Sequence, residues 1–237
     1  MNRVKIAVAL TIAVAAAGLT FAKGREAEVR VVHASPDAPA VDVKVNGAVA
    51  VPNLAFGSIS GYASLPAGQY DVQVVPAGLN SPVVIDLTGD NAVNLFYNRD
   101  YTVVALNILS KIEPLLLVDN NNPAPRPFAR VRFVHASPDA PAVDIAVAGG
   151  PVLFGNIPFK GVGDYVEVPK GFYDLEVRLA GTKTVVLPLP AVKLEGGTTY
   201  TVFAMGFAAG NPSLHAVIAV DAENPGKDNG KAKGLSK

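Results

Sequence analysis

Val29–Asp42 reads VRVVHASPDAPAVD and Val131–Asp144 reads VRFVHASPDAPAVD, one stretch written twice with a single difference, Val31 against Phe133. The interval is roughly one hundred residues, the length of a small domain rather than of a solenoid repeat. The correspondence extends outward. Phe56 matches Phe159, Tyr62 matches Tyr165, and Pro66-Ala67-Gly68-Gln69-Tyr70-Asp71 matches Pro169-Lys170-Gly171-Phe172-Tyr173-Asp174. Tyr101-Thr102-Val103 meets Tyr200-Thr201-Val202, and Val118-Asp119 meets Val220-Asp221. Two units are therefore expected, residues 25–123 and 129–225, each near the size at which a single core becomes self-sufficient. Pro123, Pro125 and Pro127 make residues 124–128 a stiff, extended linker, expected to hold the copies apart over a limited range of angles.

Ahead of the first copy, MNRVK carries two cations and Ile6–Thr20 is apolar and uncharged, the pattern of a secretory signal peptide over residues 1–22. The apolar run is short for a spanning helix, so contact with a membrane is expected only through this leader before cleavage. An exported destination follows: periplasm, cell surface or extracellular space. The chain has no cysteine, so neither a disulfide nor a lipid-anchored cysteine is available. Its 20 Lys and Arg balance 20 Asp and Glu, which leaves no basic surface for nucleic acid. The last residues, 226–237, scatter lysines among Gly and Asn and read as a disordered basic tail.

Within each copy, Val-rich stretches of five to eight residues alternate in hydrophobicity between turn signals, which is the strand pattern. Strands are expected near Glu28–His33, Val41–Val45, Ala48–Val51, Ile59–Leu65, Tyr70–Val75, Val83–Leu87, Tyr101–Leu109 and Leu115–Val118. Asn46-Gly47 suits a two-residue hairpin turn, since both positions of a type I′ turn take positive φ. Pro66-Ala67-Gly68 and Pro169-Lys170-Gly171 suit type I turns. The predicted fold is all-β: two tandem antiparallel β-sandwiches, immunoglobulin-like or prealbumin-like, with a closed barrel as the alternative.

The repeated loop holds the candidate chemistry. His33, Ser35 and Asp37, with His135, Ser137 and Asp139, are the residue types of a hydrolase triad. The order argues otherwise, because the imidazole must stand between hydroxyl and carboxylate, Pro36 and Pro138 bend the chain after each serine, and no nucleophile elbow is present. The simpler role is a loop in which Ser and Asp bind backbone N–H groups and the histidines hold loop carbonyls. Asp42 and Asp144 lie in apolar stretches, where a carboxylate needs a partner, and Arg30 and Arg132 one strand earlier are the expected cross-strand partners. All eight, from His33 to Asp144, are binding-loop candidates, with no catalytic residue assigned.

The three histidines lack zinc-ligand spacing, and no metal or cofactor is expected. Calcium is the alternative, using Asp37, Asp42, Asp119, Asn120 and Asn122 or Asp139, Asp144, Asp221, Glu223 and Asn224, though no EF-hand pattern organises them. Tyr62, Tyr70, Tyr101, Phe56 and Phe96 are expected in the core rather than as an exposed stacking platform.

The phrase R-V-[VF]-H-A-S-P-D-A-P-A-V-D-[VI], with F-x-x-[IV]-x-x-Y and P-x-G-x-Y-D after it, resembles the secreted bacterial family catalogued as a domain of unknown function, number forty-three ninety-seven. The likeness spans nearly all of residues 28–225. It implies an exported tandem of β-sandwiches at the cell envelope or exterior and brings no catalytic residue with it. Gly149-Gly150 departs from the Asn-Gly turn of the first copy. The expected function is a noncatalytic binding or structural module whose partner is an envelope polymer or a surface protein, duplication raising avidity. The alternatives are a calcium-stabilised adhesion module and a serine hydrolase using the HASPD loop.

Overall fold

The structure, a computed structural model, describes residues 5–6 and 26–223. Most of the expected signal peptide and all of the expected basic tail lie outside these residues. Strand β1 is Lys5–Ile6. The first copy holds β2 Glu26–His33, β3 Val41–Val45, β4 Ala48–Leu54, β5 Ala63–Pro66, β6 Gly68–Tyr70, β7 Val72–Pro76, β8 Ile85–Leu87, β9 Val93–Leu95, β10 Asp100–Leu106 and β11 Glu113–Asp119. The second holds β12 Phe128–His135, β13 Val143–Val147, β14 Val152–Ile157, β15 Val166–Pro169, β16 Gly171–Leu179, β17 Val185–Leu194, β18 Thr198–Met205 and β19 His215–Glu223.

Among the described residues the chain is all-β, and its strands form several sheets, none closed into a barrel. In copy one the order β11-β10-β2-β5 faces β4-β3-β7-β8, with β6-β9 alongside; in copy two β19-β18-β12-β15 faces β14-β13-β16-β17, and β1 adds to the β19 edge. The expectation of purely antiparallel pairing is corrected here. Strand β2 pairs parallel with β10, and β12 with β18. A parallel neighbour needs a long crossover, and the whole of the opposite sheet supplies it between the two strands.

Two turn signals meet different fates. Asn46 and Gly47 both take positive φ, 49° and 81°, and join β3 to β4 as a hairpin. Pro66-Ala67-Gly68 does not reverse the chain. Strand β5 pairs with β2 while β6 pairs with β9, so the segment is a corner between sheets, braced by the Tyr70 hydroxyl donating to the Pro66 carbonyl at 2.8 Å. Copy two repeats the brace from Tyr173 to Pro169, at 2.6 Å. A Pro-x-Gly tripeptide specifies local bending, and sheet pairing decides where the bend leads.

Each copy buries its own interior. Val31 of β2 and Ala105 of β10 meet Val43, Val51, Val74 and Ile85 from the facing sheet, and Phe133, Ile145, Phe154, Leu175 and Val202 do the same in copy two. A third core was not expected. Val32, Val104, Leu106 and Leu117 pack against Val134, Phe203, Met205 and Val217, so the outer faces of the β2 and β12 sheets bury each other. Alternate residues of β2 thus point into two different cores, which is why Val29–Val32 shows no polar face apart from Arg30.

The picture of copies held apart by a spacer is therefore corrected to two copies joined by a shared buried core. Ala124 is buried, the Pro127 carbonyl accepts the Lys170 N–H at 3.0 Å, and the segment lies against copy two. Because separating the copies would expose the third core, the chain is expected to unfold in one calorimetric transition. Two resolved transitions, one per copy, would contradict the shared core.

Candidate functional site

The repeated loop leaves β2 and β12 and crosses to the opposite sheet. The His33 ring is fully buried, with Nε2 2.9 Å from the Pro39 carbonyl and Nδ1 accepting the Ser35 N–H at 3.3 Å. His135 does the same with Pro141 and Ser137, at 3.0 and 3.3 Å. A ring that donates from Nε2 and accepts at Nδ1 is the neutral tautomer. Burial pushes both imidazoles below the usual histidine range, partly offset by the hydrogen bond to the proline carbonyl.

Both nitrogens of each ring are thus engaged by the main chain. Ser35 Oγ is buried without a hydrogen-bond partner, and Ser137 Oγ reaches Asp139 Oδ1 at 3.4 Å. Asp37 accepts the Leu109 N–H at 2.7 Å, and Asp139 accepts those of Ala208 and Ala209, at 2.7 and 3.1 Å. Each aspartate therefore ties the loop to the segment that follows the parallel neighbour, β10 or β18. The structure brings His, Ser and Asp into one loop without joining them as a nucleophile and its base.

Asp42 and Asp144 do not pair with Arg30 and Arg132. Asp42 accepts the N–H groups of Asn53 and Gly78 at 2.7 and 2.9 Å, and Asp144 those of Asn156 and Gly181 at 2.6 and 2.8 Å. Asn53 and Asn156 sit at φ of 50° and 53°, where the carboxylate steadies an irregular β4 or β14 edge. The arginines point elsewhere because they share the β2 and β12 face that meets the other copy.

There they build a closed ring of polar contacts. Arg30 Nη2 meets Asp221 Oδ1 at 2.5 Å, and Arg132 Nη2 is paired with Asp119 Oδ1. Arg30 Nε donates to Thr102 Oγ1 at 2.8 Å, and Thr102 donates to Asp119 Oδ2 at 2.6 Å. Arg132 Nε donates to Thr201 Oγ1 at 2.7 Å, and Thr201 donates to Asp221 Oδ2 at 2.5 Å. The contacts return to their start after crossing between copies twice.

Tyr62 and Tyr165 lie under the guanidinium groups, 4.6 and 4.9 Å from ring centroid to Cζ, and donate to Asp119 and Asp221. Burial raises both phenols, Tyr165 to about 12. Burial alone would lower the Arg30 guanidinium, but the attraction of Asp221, with Tyr62 and Asp119, lifts it above its ordinary value.

The arginine partners were misassigned from sequence, and the roles of Thr102 and Thr201 were missed. The signal was present, since each of these residues recurs at the corresponding place in both copies. Asp119 and Asp221, counted among the calcium ligands, have their carboxylates inside the ring. Among the described residues no three His, Asp or Glu side chains converge as a metal site. Of the five aromatics expected in the core, Tyr101 is buried and Phe96 lies exposed.

The family model described as Domain of unknown function (DUF4397) matches the chain twice, over residues 27–146 and 129–233. The chain belongs to this family. No curated protein matches it. Among solved structures, the Bacillus anthracis TIE protein is similar over 77% of this chain at 14% identity, with a TM-score of 0.24. The chain spans 34% of that structure's length.

Two measurements test this chemistry. Removing one partner of a buried ion pair strands the other charge, so Asp119→Ala is expected to cost about 3–5 kcal/mol, and Arg132→Met with Asp119→Leu less than the single change. Urea denaturation of the three proteins decides it. For the histidines, the folded state holds the neutral ring while the unfolded chain protonates near pH 6.5. Stability is therefore complete above that pH and falls below it, by up to about 1.4 kcal/mol per pH unit per histidine. Denaturation midpoints between pH 7 and 5 should show the decline, and His33→Gln with His135→Gln should flatten it.

Proposed function

We propose that this DUF4397 chain is an exported, noncatalytic module of the cell envelope or exterior, in which two β-sandwich domains, residues 25–123 and 129–225, act as one rigid pair that binds an envelope polymer or a surface protein. One observation carries the reading: the shared histidines, aspartates and arginines of the repeat are bonded to the fold itself. The imidazoles hold loop carbonyls, Asp37, Asp42, Asp139 and Asp144 hold backbone N–H groups, and Arg30, Arg132, Asp119 and Asp221 hold copy to copy. A duplicated motif used in this way supports a scaffold role, with recognition left to positions at which the copies differ. The basic, apolar start of the chain supports export.

Rigid pairing also changes the expected avidity. Two sites on a fixed body engage a polymer only at spacings that match their separation, whereas flexibly tethered sites tolerate a range.

The test is retention and labelling together. The chain without residues 1–22 is expected to cosediment with envelope fractions of its own host and to resist a serine-reactive phosphonate probe. Full solubility beside every fraction would sink the binding role. Labelling at Ser35 or Ser137 would favour the hydrolase.

A further inference from the structure

The one difference inside the repeated motif, Val31 against Phe133, belongs to a set of three. On the facing sheet Val51 of β4 stands where β14 has Phe154, a register set by Asn53 and Asn156, which lie two residues on and bond to Asp42 and Asp144 alike. In copy two the rings of Phe133 and Phe154 stack, with centroids 6.3 Å apart at 28°. Phe154 needs a glycine beside it. A Cβ at Gly163 would lie 2.4 Å from Phe154 Cδ1.

Copy one places Ser60 at that position, aligned through Phe56 with Phe159 and Tyr62 with Tyr165. Its hydroxyl accepts the Val31 N–H at 2.8 Å and donates to the Gly61 carbonyl at 2.9 Å. Valine at 31, valine at 51 and serine at 60 thus go together, as do Phe133, Phe154 and Gly163. The consequence is space.

Between the sheets of copy one runs a cleft of about 230 Å³, lined by Val29, Val31, Val43, Val51, Leu65 and Tyr70 among others. It shares Val29, Val31, Val43, Val45, Leu65 and Tyr70 with a second pocket of about 50 Å³. In copy two the counterpart of this second pocket, lined by Phe133, Ile145, Phe154 and Leu175 among others, is about 20 Å³. No lining residue of the cleft is charged; Asn46 lies at its rim, and the Tyr70 hydroxyl is already bonded to Pro66. Aliphatic walls of this kind repel water, and a closed apolar cavity of roughly 150 Å³ already accepts a molecule the size of benzene.

We propose that the inter-sheet cleft of copy one binds a small, uncharged ligand bearing one aromatic ring, seated against Val31 and Val51 where copy two places its own phenyl groups. The twin copy supplies the chemistry of the occupant, since phenyl rings fill this space between the same strands. The site stands independently of where the chain resides or what its outer surface binds.

The experiment uses the full chain and toluene as the probe. Toluene is expected to bind saturably at one equivalent per chain, to raise the melting temperature, and to give intermolecular NOEs to the methyl groups of Val31 and Val51. The triple variant Val31→Phe, Val51→Phe, Ser60→Gly should melt higher without toluene and bind it about tenfold more weakly or not at all. Absence of saturable binding to the natural chain overturns the proposal, as do NOEs that map only elsewhere. Unchanged affinity in a folded triple variant does the same. Should that variant fail to fold, the NOEs on the natural chain decide alone.

Discussion

The polar ring running from Arg30 through Thr102, Asp119, Arg132 and Thr201 to Asp221 and back is the constraint on which the rest of the molecule turns. It lies between two apolar sheets, out of water, where a charge without a partner is costly. Each copy contributes an arginine and an aspartate, and neither copy satisfies both alone. Arg30 needs Asp221, 191 residues away in the chain, while Asp119 needs Arg132. Hydrophobic contact holds the two faces together without direction, and the ring sets how they meet, because a slip of one residue would leave two charges unpaired.

Seen this way the chain is an internal dimer. Within the polar ring equivalent residues make equivalent contacts across the junction, as in an isologous pair of subunits. The short proline segment between the copies follows from that arrangement and runs along copy two. The copies differ at the junction, where Val104, Leu106 and Leu117 stand for Phe203, Met205 and Ala219, and they differ again in their separate interiors. The Val31, Val51 and Ser60 set opens an interior that Phe133, Phe154 and Gly163 close, so the copies share a frame and diverge inside it.

Much of the fold was legible in advance. Period-two alternation located most strands, and Asn46-Gly47 was a hairpin because positive φ at two successive residues has few other uses. The motif loop behaved in part as its residue types suggest, with His33 holding a carbonyl and Asp37 an N–H group, while the Ser35 and Ser137 hydroxyls, expected on backbone N–H groups, bind none. Other parts were out of reach. Parallel pairing of β2 with β10 leaves no local mark, since both strands read as apolar runs whichever neighbour they take. The Pro66-Ala67-Gly68 bend was visible while its destination was not.

From the residues alone came the doubling, the β character, and the positions where the backbone must turn or bend, because each is a local property of spacing, side-chain shape or allowed φ. The three-dimensional arrangement settled that the outer face of each copy is covered by the other, that Arg30 belongs to Asp221 rather than Asp42, and that one interior is open. Alternation along β2 tells which residues share a face but carries no information about what lies against it. That depends on contacts between segments nearly two hundred residues apart, which come into being only when both copies have folded and met.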